Sequence, residues 1–167
     1  VDELFNEQIT SDIINLYSPD NPTGIAHNGV IPNDYISLES PPLAWTSNES
    51  LVESAASYAV TLIDPNADNW VHWILYNIPK GTTSLVKNTI TPTGASLGVN
   101  SWGSASYRGP EPLNPHTYIF TVYALRSELT DVPVSAGLSI ILPLLEKELL
   151  AKSSFKAYYI PPPPFIP

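Results

Sequence analysis

Apolar residues along the chain gather into four segments that read as β-strands. Ser57 to Ile63 (SYAVTLI), Val71 to Ile78 (VHWILYNI), Thr117 to Leu125 (TYIFTVYAL) and Phe155 to Ile160 (FKAYYI) are dense in aromatic and β-branched residues. Such residues pack well on a pleated, half-buried surface. The first segment closes at Asp64-Pro65 and the second at Pro79-Lys80-Gly81, both turn signals. Period two along the second places Trp70, His72, Ile74 and Tyr76 on one face, with Val71, Trp73, Leu75 and Asn77 on the other. In the third, His116, Tyr118, Phe120 and Val122 share a face. Upstream, residues 1–35 read as irregular with short extended pieces, because Pro19, Pro22, Gly24, Gly29 and Pro32 interrupt them. Pro41-Pro42 before Leu43-Ala44-Trp45 predicts an edge segment.

One helix is predicted near the end. Pro143 suits its first position, where a missing N–H costs nothing. Leu144, Leu145, Leu149 and Ala151 then form an apolar stripe, and Glu146, Lys147 and Glu148 the wet side. The tail Pro161 to Pro164 reads as polyproline II lying on the surface. No repeat or linker divides the chain. Residues 1–167 therefore read as one mainly β domain, with an irregular segment over 1–30, a Pro-rich tail over 161–167 and one or two peripheral helices.

Composition narrows the function. Of 167 residues, 43% are hydrophobic and only 14% charged, against roughly 25% charged in an average domain. That balance excludes a disordered acidic tail. The absence of cysteine removes disulfides, thiolate catalysis and Cys-ligated metal, and 18 prolines argue against a helical bundle. The net charge of −9, with no cluster of Lys or Arg, excludes nucleic acid and opposes an anionic membrane surface. No apolar run approaches the ~20 residues of a transmembrane helix. A start at Val1 and the glycosylation sequon Asn48-Glu49-Ser50 point to a secreted or compartment-targeted protein, the cytoplasm being the other option.

Chemistry centres on few residues. His72 lies within the second strand and His116 opens the third, so neighbouring strands would bring both imidazoles to one end of a sheet, with Asp64 and Tyr118 in reach. Imidazole N–H and phenol O–H donors suit an anion, and a nearby carboxylate fixes the tautomer of a histidine and raises its pKa. Gly109-Pro110 would let backbone approach a ligand closely, and Arg108 could add a bidentate clamp. His27 sits in a Gly/Asn loop and reads as solvent-facing. Gly94-Ala95-Ser96-Leu97-Gly98 matches G-x-S-x-G. It lacks the flanking strand and helix and the Asp-then-His order that a nucleophile elbow needs, so it reads as a loop. Asp64, His72 and His116 could in principle form a two-His-one-carboxylate metal face, but no short ligand pair supports one, and neither metal nor cofactor is expected.

These residues resemble a known family. Asp64-Pro65-Asn66-Ala67-Asp68, then Trp70-Val71-His72-Trp73 and Tyr76-Asn77-Ile78-Pro79, resemble the first signature of the phosphatidylethanolamine-binding proteins, also called the Raf kinase inhibitor protein family. Tyr107-Arg108-Gly109-Pro110 and His116-Thr117-Tyr118-Ile119-Phe120-Thr121-Val122-Tyr123-Ala124-Leu125 resemble the second. The resemblance implies a large antiparallel sheet packed on a smaller one, Greek-key in style, with helices near the C-terminus. It also implies a small anion-binding cavity lined by Asp64, Trp70, His72, Gly109, Pro110, His116 and Tyr118. Asn66, Asp68 and Thr117 depart from the aspartate, proline and arginine usual there. The segment from Gly109 to His116 is about one residue short, and Pro115 replaces a flexible stretch. These departures set the usual headgroup preference in question.

Three classes of function follow. The first is a binding module holding a small phosphate- or carboxylate-bearing ligand, such as a phospholipid headgroup. The second is an enzyme using Asp64, His72, His116 and Tyr118 in general acid–base chemistry, since the resemblance extends to fungal relatives recruited to polyketide pathways, including those joining maleic-anhydride units. The third is inhibition of a protease or kinase through a protein partner.

Overall fold

The computed structural model describes residues 13–19, 24–26 and 28–163, so His27 and Pro164 lie outside the described residues. Eight strands among them form two antiparallel sheets. The small sheet has the order β1-β2-β5, from Ile14–Tyr17, Leu43–Ser47 and Ser84–Leu85. The large sheet has the order β6-β4-β3-β7-β8, from Ser96–Leu97, Trp70–Pro79, Ser57–Asp64, His116–Leu125 and Leu149–Tyr159. β7 thus returns over a long connection to lie beside β3, a Greek-key crossing. Leu43-Ala44-Trp45, expected at an edge, forms the centre of the small sheet, because β1 and β5 pair on either side of it.

All eight positions of β3 are buried, which is why its sequence runs apolar without alternation. One face of the large sheet meets the small sheet. There Trp45 stands 5.4 Å from Tyr58, and Leu62, Trp73, Leu75, Phe120 and Val122 share one core with Leu16 and Leu43. The opposite face carries Ala59, Ile74 and Tyr123, covered by Ile141 and Leu145 of helix α2 (Leu138–Lys147), the second α-helix among the described residues. The first, α1 (Glu49–Ser54), is capped by Asn48, whose side chain accepts from Leu51 N at 2.9 Å. It precedes β3 rather than lying near the C-terminus.

The predicted helix is displaced. α2 begins at Leu138, and Pro143 is its sixth residue rather than its first. Pro143 is exposed, so the hydrogen bond it cannot make is lost on the wet side, while Ile141 and Leu145 are fully buried. Leu149 and Ala151 belong to β8 instead, which starts well before the expected Phe155. The open edge of β8 is partly covered by residues 28–31: Asn28 N donates to Lys156 O, Ile31 N to Tyr158 O and Tyr158 N to Gly29 O. The G-x-S-x-G segment ends in β6, where Ser96 pairs with Tyr76.

The helix layer depends on Ile141. Ile141→Ala should lower folding stability by about 3 kcal/mol, read as a reduced midpoint in urea with an unchanged m-value.

Candidate functional site

The site is built where β3 ends. Asp64 is the last residue of that strand and is buried, so its carboxylate needs partners. Oδ1 accepts from Asn66 N at 2.9 Å, closing the turn that Pro65 opens. Oδ2 accepts from His116 Nδ1–H at 2.6 Å. Asn66 Oδ1 in turn accepts from Thr117 N at 2.7 Å, which ties the turn to the start of β7. Aspartate or asparagine can accept that bond, so the departure at Asn66 preserves the link. Asp68 has a φ of 55°, which proline cannot adopt, so the departure there reshapes the turn entering β4.

His72 reaches the site through an irregularity. Leu62 pairs with Trp73 but Ile63 pairs with Val71, so one step along β3 spans two along β4 and His72 is the extra residue. This bulge overrides the expected period-two faces. Ile74 and Tyr76 pack toward α2, whereas the His72 ring stands edge-on to Tyr118 at 5.1 Å, next to the inter-sheet core. Residues 107–109 hold it there. Arg108 N donates to His72 O at 3.1 Å, and His72 Nδ1–H donates to Arg108 O at 2.6 Å. A carbonyl only accepts, so the proton of a neutral His72 is on Nδ1.

Gly109 packs against a neighbouring segment. A Cβ there would lie 2.2 Å from Tyr35 O, and Gly109 N donates to Ser37 O at 2.7 Å. The close approach it permits is to the backbone of Tyr35 and Ile36, and its own backbone also faces His72. Tyr107 Oη also donates to Tyr35 O, at 2.6 Å, and Pro110 is buried beside this strap.

Tyr118 touches both imidazoles: the His116 ring is tilted 30° to it at a centroid distance of 6.4 Å. Its hydroxyl is buried and hydrogen-bonded to nothing among the described residues. Burial, and then the charge of Asp64, push its pKa far up, so it is a neutral phenol. Asp64 lies near enough to bias the hydroxyl, but the geometry falls short of a hydrogen bond. Burial holds the pKa of His72 below the ordinary 6.5, outweighing the Arg108 carbonyl, Asp64 and Glu111, which act the other way.

A rim surrounds this cluster. Trp70 is 39% exposed and meets Trp102 edge-on at 5.5 Å, and Trp102 stands 4.9 Å from His72. The Arg108 guanidinium lies 4.5 Å over the Trp102 ring and donates to Glu111 at 2.8 Å, so it has a partner already. Sequence reasoning missed Trp102, Glu111 and Asn100. The Asn100 side chain shapes the loop under Trp102, accepting from Trp102 N and Ser104 N and donating to Ser106 O. The only available signal was Asn100-Ser101-Trp102-Gly103, a turn-forming run around an aromatic residue.

A cavity of about 310 Å³ has Trp73, Leu75, Leu97 and Tyr107 among its walls. Neither His72 nor His116 lines it. Among the described residues, no group of three or more His, Asp or Glu side chains is arranged to hold a metal ion, and no helix is long and apolar enough to cross a membrane.

The family model described as phosphatidylethanolamine-binding protein matches residues 21–160. The chain is 34% identical over 127 residues to a UPF0098 protein of Methanothermobacter thermautotrophicus, covering 72% of this chain and 82% of that one. It is 33% identical over 132 residues to the UPF0098 protein YbcL of Escherichia coli, covering 72% and 70%. The crystal structure of YbcL, described as a new member of the mammalian PEBP family, superposes with a TM-score of 0.76 at 26% identity, over 89% of this chain and 99% of that one. A putative phosphatidylethanolamine-binding protein homologue from Chlamydia trachomatis shares the fold, with a TM-score of 0.78 at 24% identity over 91% and 100%.

Burial of His72 makes stability depend on pH. The unfolded chain takes up a proton there below about pH 6.5, and the folded chain resists it. Stability present above that pH is therefore lost as pH falls toward the depressed value. The urea midpoint should be lower at about pH 5.5 than at about pH 7.5, and His72→Gln should flatten that difference.

Proposed function

The chain belongs to the phosphatidylethanolamine-binding protein family, and from that premise we propose that it holds a small phosphate- or carboxylate-bearing ligand between Asp64, Trp70, His72, Pro110, His116 and Tyr118. The observation that carries this reading is the buried Tyr118 hydroxyl, a donor without a partner beside two imidazoles whose Nδ1 atoms are already engaged. Leaving such a hydroxyl unpaired costs about 1–3 kcal/mol, which an acceptor on a ligand recovers.

Binding on this design takes up protons. Each imidazole donates through Nδ1, to Arg108 O or to Asp64, so Nε2 carries hydrogen only on the imidazolium. An anion entering beside the buried Asp64 carboxylate also demands a compensating positive charge. Protonating His72 supplies it and turns its Nε2 into a donor. Affinity then rises as pH falls, because the ligand stabilises the form that burial disfavours in His72.

The Asp64–His116 pair favours a second reading, general acid–base chemistry on an anionic substrate. Asp64 would orient His116, and Nε2 would move a proton. Exchange of the methyl protons of pyruvate into deuterium oxide, followed by NMR, should be accelerated by the protein and not by His116→Ala. Equal rates with and without protein dismiss this reading.

Sulfate keeps its charge across the useful pH range and is the probe for the first reading. Titration followed by NMR should shift the His72 and His116 ring signals, with affinity rising about tenfold from about pH 7.5 to about pH 5.5. Tyr118→Phe should weaken sulfate about tenfold while raising folding stability by about 1 kcal/mol, since it removes an unpaired buried hydroxyl. No ring shift at millimolar sulfate, or a Tyr118→Phe protein that binds as wild type does, overturns the proposal.

A further inference from the structure

Arg108 connects three parts of the rim. Its backbone grips His72 at both N and O, its guanidinium lies over the Trp102 ring, and one Nη donates to Glu111. The guanidinium and the His72 ring each lie within 5 Å of the same indole, at 4.5 and 4.9 Å, so they are less than about 10 Å apart. Glu111 is part of the same neighbourhood, because its charge is felt by His72.

Two features make this pair replaceable. Its side chains are 39% and 53% exposed, and an exposed ion pair three residues apart contributes little. Arginine also presents five donors in a planar fork suited to a carboxylate or phosphate, and Glu111 accepts from a single Nη. Stacking on Trp102 keeps the fork in place whichever acid it meets.

We propose, resting on the anion reading above, that Arg108 is a second acid-binding subsite and that the ligand carries two acidic groups. One group sits among His72, His116 and Tyr118. The other displaces Glu111 from Arg108, so the glutamate is an internal competitor that the second acidic group must outcompete. No bond is made or broken. A short-chain diacid spans the separation between the subsites.

Calorimetric and NMR titrations with acetate, succinate, glutarate and adipate test this. At least one diacid should bind wild-type protein about tenfold more tightly than acetate, the effect of one charge-assisted contact. Arg108→Gln should collapse that ratio toward one. Glu111→Gln should strengthen diacid binding about two- to fivefold, by removing the competitor. If acetate shifts the His72 and His116 signals but no diacid exceeds it, or if Arg108→Gln preserves the ratio, the two-acid inference is overturned and the single-anion reading stands. If no acid shifts those signals, the single-anion reading has failed first.

Discussion

A buried carboxylate must be fully paired, and the functional end of this protein is organised around meeting that demand for Asp64. Its two oxygens are taken by the turn after β3 and by His116. The turn, through Asn66, then holds the first residues of β7. Strand pairing, turn geometry and imidazole tautomer are thereby set together, and a change at any one of them disturbs the others. Burial that would be costly for a lone acid becomes a means of aiming a histidine.

The second histidine is aimed by a defect in the sheet. Without the extra residue in β4, His72 would follow its period-two neighbours toward α2 and never meet Tyr118. The bulge also exposes the chain to a strap from residues 107–109, and Gly109 is needed because that strap presses against the backbone of Tyr35 and Ile36. Asp64 and His72 reach the same place by opposite routes, one by ending a regular strand and one by interrupting it.

Much of this was legible in the sequence. The central strands announce themselves by aromatic and β-branched density, since their burial on both faces leaves few polar positions to blur them. The convergence of Asp64, His72, His116 and Tyr118 was expected from neighbouring strands, whereas β3 lies between β4 and β7 and contributes Asp64 itself. What was hidden depended on contacts between distant segments. The period-two rule cannot register a bulge decided by pairing with β3. The start of α2 is set by Ile141 and Leu145 finding the sheet, which outweighs the local preference of Pro143 for a first turn. Arg108 looked free because nothing local shows a guanidinium lying on Trp102.

The segment over residues 28–31 has a further consequence. An outer strand with unpaired amides invites the same strand of another molecule to add to it, and sheets extended in this way grow into fibres. Here the last part of β8 has its outward amides and carbonyls engaged by Asn28, Gly29 and Ile31, through a single parallel bridge too short to template another chain. Residues 28–31 therefore withdraw the end of the final strand from edge-to-edge pairing.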